Sequence, residues 1–116
     1  MKSLASINEK DIETIKMALN DSISDMNTEL KGDLPEKKRE TLFDYKLKYT
    51  RVFEKLKQNP SLYALSESDL DIVAGGLNDA IDLIDENMSE DLSEDDKAEF
   101  MAYKNDCSRL VEILSN

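Results

Sequence analysis

The sequence predicts an all-α protein in which two tandem helical hairpins form a four-helix bundle. Three observations predict this class. Apolar residues recur at intervals of three and four, the period of an amphipathic helix. Only three glycines and two prolines are present, too few to punctuate a many-stranded β fold. Finally, the chain repeats itself: ALNDSI at residues 18–23 returns as GLNDAI at residues 76–81.

The repeat has a period of 58 residues and covers the whole chain. When residues 1–58 are placed over residues 59–116 without gaps, 16 of the 58 positions are identical. The apolar positions match more widely than the identities do, as expected when two copies bury the same faces. We therefore interpret residues 1–116 as one domain of two duplicated hairpins, repeat 1 at 1–58 and repeat 2 at 59–116.

The first helix of each repeat is expected to begin after Asn8 in repeat 1 and after Ser66 in repeat 2. Both are residue types that cap helix N-termini, and an aspartate follows three positions later in each copy. The acidic first turns also suit the helix dipole. The apolar stripes of these helices match position by position: Ile12, Ile15, Leu19, Ile23, Met26 and Leu30 in repeat 1, and Leu70, Val73, Leu77, Ile81, Ile84 and Met88 in repeat 2.

The second helix of each repeat is expected to begin near Pro35 and near Ser93. Proline is accepted in a first helical turn, and Ser93 with Asp96 resembles a capping box. Pro60 ends repeat 1, because the residue before a proline disfavours helix. The spacing favours near-parallel or antiparallel packing, with two separate hairpins or hairpins exchanged between two chains as alternatives. The stripes are Leu42, Tyr45, Tyr49, Val52 and Leu56, matched by Phe100, Tyr103, Cys107, Leu110 and Leu114.

A stripe of small residues runs through the first helix of each repeat. It consists of Ala18 and Ser22 in repeat 1 and of Gly76 and Ala80 in repeat 2. Glycine inside a helix costs about 1 kcal/mol relative to alanine, so its presence needs a reason. We expect the stripe to permit close approach of two helices. A hinge or a flat patch for a partner is the alternative.

An Asn-Asp pair is retained in both copies, at residues 20–21 and 78–79. Asparagine is a mediocre helix former, so its retention in both copies needs a reason. We expect these side chains to form hydrogen bonds across the bundle with Tyr45 or Tyr103, whose hydroxyls need partners if buried. A shared binding surface is the alternative.

No residue set points to catalysis. The chain has no histidine, which excludes a Cys-His nucleophile and the His-containing metal sites. Cys107 occupies a core position, where free cysteine acts as a small hydrophobe. No phosphate loop or nucleophile elbow is present, and nothing singles out one catalytic pair among 26 acidic residues. We expect a protein that is not an enzyme and has no metal or cofactor.

One loop resembles the calcium-binding loop of EF-hands. In DENMSEDLSEDD, residues 85–96, oxygen-bearing side chains fall at ligand positions 1, 3, 5, 9 and 12, and Leu92 falls at the apolar position 8. Glu90 replaces the turn glycine, and Asp96 replaces the bidentate glutamate. The resemblance implies a weak calcium-responsive protein, which we keep as an alternative function.

Charge is divided unequally between the repeats. Residues 1–58 carry 12 Lys/Arg and 11 Asp/Glu, a net charge of +1, whereas residues 59–116 carry 3 and 15, a net charge of −12; the total is −11. This excess argues against direct binding to nucleic acid or to an anionic membrane and favours a basic partner. The candidate partner-binding residues are Asp71, Asp82, Asp85, Glu86, Glu90, Asp91, Glu94 and Asp95.

The resulting hypothesis is an acidic helical protein-binding module. Carboxylates on rigid helices recur every few ångströms, the scale of the roughly 3.4 Å phosphate spacing along a DNA strand. The sharpest form is therefore a nucleic-acid mimic of the phage anti-defence type, which inhibits an enzyme by occupying its basic nucleic-acid-binding groove. The alternatives are an acidic face that serves solubility alone, and a self-associating adaptor or homodimer that uses near-neutral repeat 1 or the Gly76/Ala80 stripe.

The cellular location is expected to be the cytoplasm. No apolar run reaches the length of a membrane span. The first ten residues, MKSLASINEK, lack the apolar region of a secretory signal. The single cysteine cannot form an internal disulfide, which agrees with a reducing compartment.

Overall fold

A computed structural model describes residues 4–115, and the regular elements in this range are all helical. Each repeat begins with a short 3₁₀ turn, Leu4–Ser6 in repeat 1 and Leu62–Ala64 in repeat 2. Ser3, the first identical position of the repeat, lies outside the described residues. Every element of repeat 1 returns 58 residues later, to within one residue at its ends. The long helices are α1 (Glu9–Leu30), α2 (Glu36–Gln58), α3 (Glu67–Asn87) and α4 (Glu94–Ser115).

Helices α1 and α3 begin with the reciprocal capping box that the sequence predicts. The Asp11 N–H donates to Asn8 Oδ1 at 2.9 Å, and the Asn8 N–H donates to Asp11 Oδ2 at 3.2 Å. Ser66 and Asp69 make the same exchange at 3.1 and 3.2 Å. Two backbone donors that the helix itself leaves unsatisfied are thereby paired in each copy.

The starts of α2 and α4 differ. At α4, Ser93 Oγ accepts a hydrogen bond from the Asp96 N–H at 3.1 Å, so the predicted cap is present. At α2 no side chain caps the helix, and Pro35 lies immediately before the first helical residue rather than within the first turn. Proline is tolerated there because its backbone has no N–H to leave unpaired.

The four helices form a four-helix bundle of two hairpins. Helix α1 packs on α2, α3 packs on α4, and α1 and α3 pack on each other. Gly76 lies against Leu19, and three residues later Asp79 lies against Ser22. Because these contacts advance together along both helices, α1 and α3 run in the same direction. None of the helices in residues 4–115 is long and apolar enough to cross a membrane.

The small-residue stripe lies inside the contact between α1 and α3. Ala18, Ser22, Gly76 and Ala80 are all buried. A Cβ atom added to Gly76 would lie 2.8 Å from Leu19 Cδ2, closer than unbonded carbons approach. The prediction of close helix approach is confirmed, and the stripe is not exposed to a second copy or another partner.

The packed core occupies one end of the bundle. The N-terminal halves of α2 and α4 contribute no buried residue. Tyr45, which the sequence places in the core stripe, is 49% exposed. The bundle is therefore open at the end that carries the α1–α2 and α3–α4 connections, which we call the open end. The buried residues of the outer helices occupy matched positions: Tyr49, Val52 and Leu56 on α2, and Cys107, Leu110 and Leu114 on α4.

Two candidate binding clefts at the open end

Polar contacts join the first helix of each repeat to the second helix of the other. The Tyr103 hydroxyl donates to Asp21 Oδ2 at 3.1 Å, and the Tyr49 hydroxyl donates to Asp79 Oδ2 at 3.1 Å. The expected partnership of Tyr103 is confirmed. That of Tyr45, its counterpart in repeat 1, is wrong, because the donor to Asp79 lies one helical turn further along α2.

The capping aspartates show the same displacement by one turn. Arg109 Nη2 donates to Asp11 Oδ1 at 2.6 Å, and Lys55 Nζ donates to Asp69 Oδ2 at 2.7 Å. The counterpart of Arg109 in repeat 1 is Arg51, which is exposed. Repeat 2 uses Tyr103 and Arg109, whose counterparts in repeat 1 are Tyr45 and Arg51. Repeat 1 instead uses Tyr49 and Lys55, each four positions further along α2.

The side chains available one turn further along explain the displacement. Repeat 2 has Cys107 and Ile113 where repeat 1 has Tyr49 and Lys55, so it has neither a hydroxyl nor a charge at those positions. Gly75 gives Tyr49 its room, since a Cβ there would lie 2.9 Å from the tyrosine hydroxyl. Because Tyr49 satisfies the Asp79 carboxylate of repeat 2, Tyr45, the outer tyrosine of α2, is left at the surface.

These contacts lower the pKa values of two aspartates, whereas burial raises the pKa of a cysteine. Burial by itself raises the pKa of Asp11, but hydrogen bonds from Arg109 and the Asn8 N–H lower that pKa overall. The hydrogen bond from Lys55 lowers the pKa of Asp69. Burial raises the pKa of the Cys107 thiol to about 12, so this thiol stays protonated at neutral pH and is not a nucleophile.

A cleft of about 600 Å³ opens between α1, α2 and α3 at the open end. Leu42, Tyr45 and Tyr49 form its α2 wall, and Met26 contributes apolar surface from α1. We call it the acidic cleft because α1 and α3 direct five carboxylates into its lining, those of Asp25, Glu29, Asp79, Asp82 and Glu86.

A second cleft, of about 520 Å³, opens between α1, α3 and α4 at the same end. Its carboxylates come from Asp21 and Asp25 alone, and the Asp21 carboxylate accepts the Tyr103 hydroxyl. We call it the apolar cleft because its remaining wall is largely apolar, with Ala80, Leu83, Ile84, Leu92 and Phe100.

The two clefts are counterparts in the duplication. Ten of the eleven residues that line the acidic cleft have their 58-residue counterpart in the lining of the apolar cleft. Asp25 and Leu83 are counterparts of each other and line both clefts. The acids that distinguish the acidic cleft, Glu29, Asp82 and Glu86, correspond to Asn87, Ser24 and Thr28 in the apolar cleft.

The carboxylates of the acidic cleft repel one another. The pKa of Asp79 is raised mainly by burial; hydrogen bonds from Tyr49 and Ser22 oppose the shift, and the charges of Asp82 and Asp25 make a smaller contribution that raises it. Like charges brought together in a partly desolvated space disfavour ionisation. A cationic group entering the cleft would relieve this repulsion.

Of the eight residues predicted from sequence, only Asp82 and Glu86 line the acidic cleft. Asp85 lies on another side of α3, where its Oδ1 accepts a hydrogen bond from Lys104 Nζ at 2.6 Å. Asp71 is exposed near the start of α3, far along the helix from the open end. The remaining four are exposed in the α3–α4 connection and the first turn of α4: Glu90, Asp91, Glu94 and Asp95.

Three acids of the cleft were missed in the sequence-based prediction of the site. Asp25 and Glu29 belong to repeat 1, whose net charge is close to zero, so composition gave no reason to choose them. Asp79 was interpreted as a packing residue, and it does bind Tyr49. The helical periodicity places Asp25 and Glu29 on one face of α1, four residues apart, but only the packing of α1 on α3 places them beside Asp82 and Glu86.

The segment that resembles an EF-hand loop does not fold as one. Asp85 lies within α3 and Asp96 within α4, so half of the expected loop, including its first and last ligand positions, is helix. Ser89 Oγ accepts a hydrogen bond from the Asp91 N–H at 3.1 Å. Within residues 4–115, no three or more His, Cys, Asp or Glu side chains are grouped so that they could hold a metal ion.

Comparisons with protein-family models, with curated proteins and with solved structures found no match to this chain.

Proposed function

We propose that this protein is a non-enzymatic binding module whose acidic surface, centred on the acidic cleft, docks on a basic partner protein. The sharpest form is an inhibitor that occupies the nucleic-acid-binding groove of an enzyme. Asp82 and Glu86 contribute two of the five carboxylates of the cleft, and the acids of the α3–α4 connection extend the negative surface at the same end of the bundle.

One observation carries the proposal. Two clefts built from the same duplicated positions differ in charge, with five carboxylates in one and two in the other. Asn87, Ser24 and Thr28 in the apolar cleft show that these positions accept neutral side chains without loss of the architecture. Neither folding nor packing therefore requires the charge of the acidic cleft, whereas recognition of a basic surface would use it.

Solubility is the competing explanation, and it depends on net charge rather than on where the charges lie. The duplication provides a variant that separates the two. Asp82→Ser and Glu86→Thr give the acidic cleft the residues of its counterpart, while Ser24→Asp and Thr28→Glu do the reverse. The fourfold variant keeps the net charge of −11 but moves two carboxylates from one cleft to the other.

The experiment is affinity capture of proteins from an extract of the source cells, at low and high salt, with wild type and fourfold variant in parallel. We expect wild type to retain a basic nucleic-acid-binding protein that high salt or a double-stranded oligonucleotide displaces, and the variant to lose it. Equal capture by both proteins would contradict the proposal, because net charge alone would then explain binding.

A further inference from the structure

We infer that the acidic cleft and the apolar cleft together dock one amphipathic basic helix of the partner. Lysine or arginine side chains enter the acidic cleft, and an apolar side chain enters the apolar cleft. The inference rests on the proposed function and adds to it a second contact site and the chemical character of the partner segment.

The apolar cleft is suited to an apolar side chain. Leu83, Ile84, Leu92 and Phe100 converge on a space of about 520 Å³, within the size range of side-chain and ligand pockets. One of its two carboxylates already accepts a hydrogen bond from Tyr103. Burial of a leucine or aromatic side chain here would remove apolar surface of both partners from water.

A single segment can contact both clefts, because they adjoin. Asp25 and Leu83 line both of them. On α1, the lining of the acidic cleft runs from Ser22 to Glu29, a separation of seven residues or about 10 Å of helix. Side chains on one face of a partner helix recur over the same length at positions i, i+3, i+4 and i+7, as in other helix-in-groove complexes.

Charge complementarity identifies the occupant as a basic chain. Five carboxylates line one cleft, and exposed Glu90 and Asp91 immediately precede Leu92, which lines the other. An apolar side chain reaching the apolar cleft must therefore be flanked by cations. A second copy of this chain carries the same net charge of −11, so long-range repulsion opposes its docking, and we assign the helix to another protein.

Two synthetic peptides of identical composition test the inference. In the first, leucines recur at positions i, i+3, i+4 and i+7 among lysines; in the second, the order is scrambled so that no apolar face forms. Calorimetric titration at low and high salt is expected to show the amphipathic peptide binding about tenfold tighter than the scrambled one, with the larger part of this advantage surviving high salt.

Matched variants locate the apolar contact. Phe100→Ala in the apolar cleft is expected to weaken the amphipathic peptide by about five- to tenfold, and Leu42→Ala, its counterpart in the acidic cleft, by less than about threefold. If Phe100→Ala unfolds the protein, Leu92→Ser tests the same wall from the α3–α4 connection, with its counterpart Leu34→Ser as the control.

The outcomes separate this inference from the proposed function. Equal affinity for the two peptides, with Asp82→Ser/Glu86→Thr weakening both, would overturn the bipartite site and leave the acidic docking surface in place. Unchanged affinity in both Phe100→Ala and Leu92→Ser would also overturn it. Failure of both peptides to bind wild type at low salt would overturn the proposed function and this inference together.

Discussion

The packed end of the bundle, which lies opposite the open end and which we call the closed end, and the open end differ in the features that the two repeats share. At the closed end, both repeats bury the same positions of α2 and α4, and both retain the capping box. At the open end, counterpart positions differ in charge, as Asp82 and Ser24 do. Close packing restricts what a core position accepts, whereas the walls of an open cleft face solvent. The difference shows which positions folding constrains and which remain available for binding.

The hydrogen bonds and ion pairs between the repeats are only partly the same in the two copies. The aspartate acceptors are retained in both repeats, but their donors differ by one helical turn. A carboxylate between packed helices is stabilised by a hydrogen-bond partner, yet a long side chain can reach it from either of two successive turns. Retention of the acceptor without retention of the donor has left Tyr45 exposed at the acidic cleft and Tyr103 bonded in the apolar cleft.

The largest expected loss of stability tests whether the two repeats pack their buried side chains equally closely. Leu19→Ala and Leu77→Ala remove counterpart side chains that are both fully buried. Each is expected to cost about 2–5 kcal/mol of unfolding free energy. Leu19→Ala should lie nearer the upper limit, because Gly76 beside it has no side chain to fill the cavity. Urea unfolding measures both, and a small cost for either variant would show that the repeats are not packed alike.

A smaller loss of stability tests whether the absence of a side chain at Gly75 makes room for Tyr49. Repeat 2 has Cys107 where repeat 1 has Tyr49, and repeat 1 has Met17 where repeat 2 has Gly75. Gly75→Met alone is expected to cost about 1–3 kcal/mol, because the new side chain would meet the Tyr49 ring. With Tyr49→Cys added, positions 75 and 49 carry the residues of their counterparts, Met17 and Cys107, and the double variant should cost less than the sum of the singles by about 1 kcal/mol. Additive costs, measured by thermal unfolding, would contradict the proposed complementarity.

The smallest effects test two aspartates whose pKa shifts have opposite sign. The lowered pKa of Asp11 means that its contribution to stability is present above its ordinary pKa and is lost as pH falls through the folded value. The raised pKa of Asp79 means that its contribution is present below its ordinary pKa and is lost as pH rises through the folded value.

Asp11→Asn is therefore expected to destabilise the protein at neutral pH by about 1–2 kcal/mol. Asp79→Asn should stabilise it by well under about 1 kcal/mol, since solvent screens this exposed side chain and an amide oxygen still accepts the Tyr49 hydroxyl. Urea unfolding from about pH 3 to pH 7 measures both. If both variants changed the unfolding free energy in the same direction at neutral pH, the opposite pKa shifts assigned to Asp11 and Asp79 would be contradicted.

The fold was predictable because its signals are local. Asn8 and Ser66 mark helix starts through side chains that bond backbone three residues away, and the apolar stripes repeat at the period of the helix itself. The candidate site was predictable in part. The acidic excess of repeat 2 pointed to Asp82 and Glu86, but Asp25 and Glu29 lie in a segment without such an excess, and their role arises only where α1 meets α3.

The sequence alone therefore determined the helical class, the four elements and their duplication, because periodicity, capping and repetition act over one or a few helical turns. Only the tertiary structure decided that the core fills one end of the bundle, that Tyr49 rather than Tyr45 binds Asp79, and that five carboxylates from two repeats line one cleft. Those outcomes depend on how closely α1 and α3 approach and on which side chains fill the remaining space. That is a property of packing between segments distant in the chain, and no single helix encodes it.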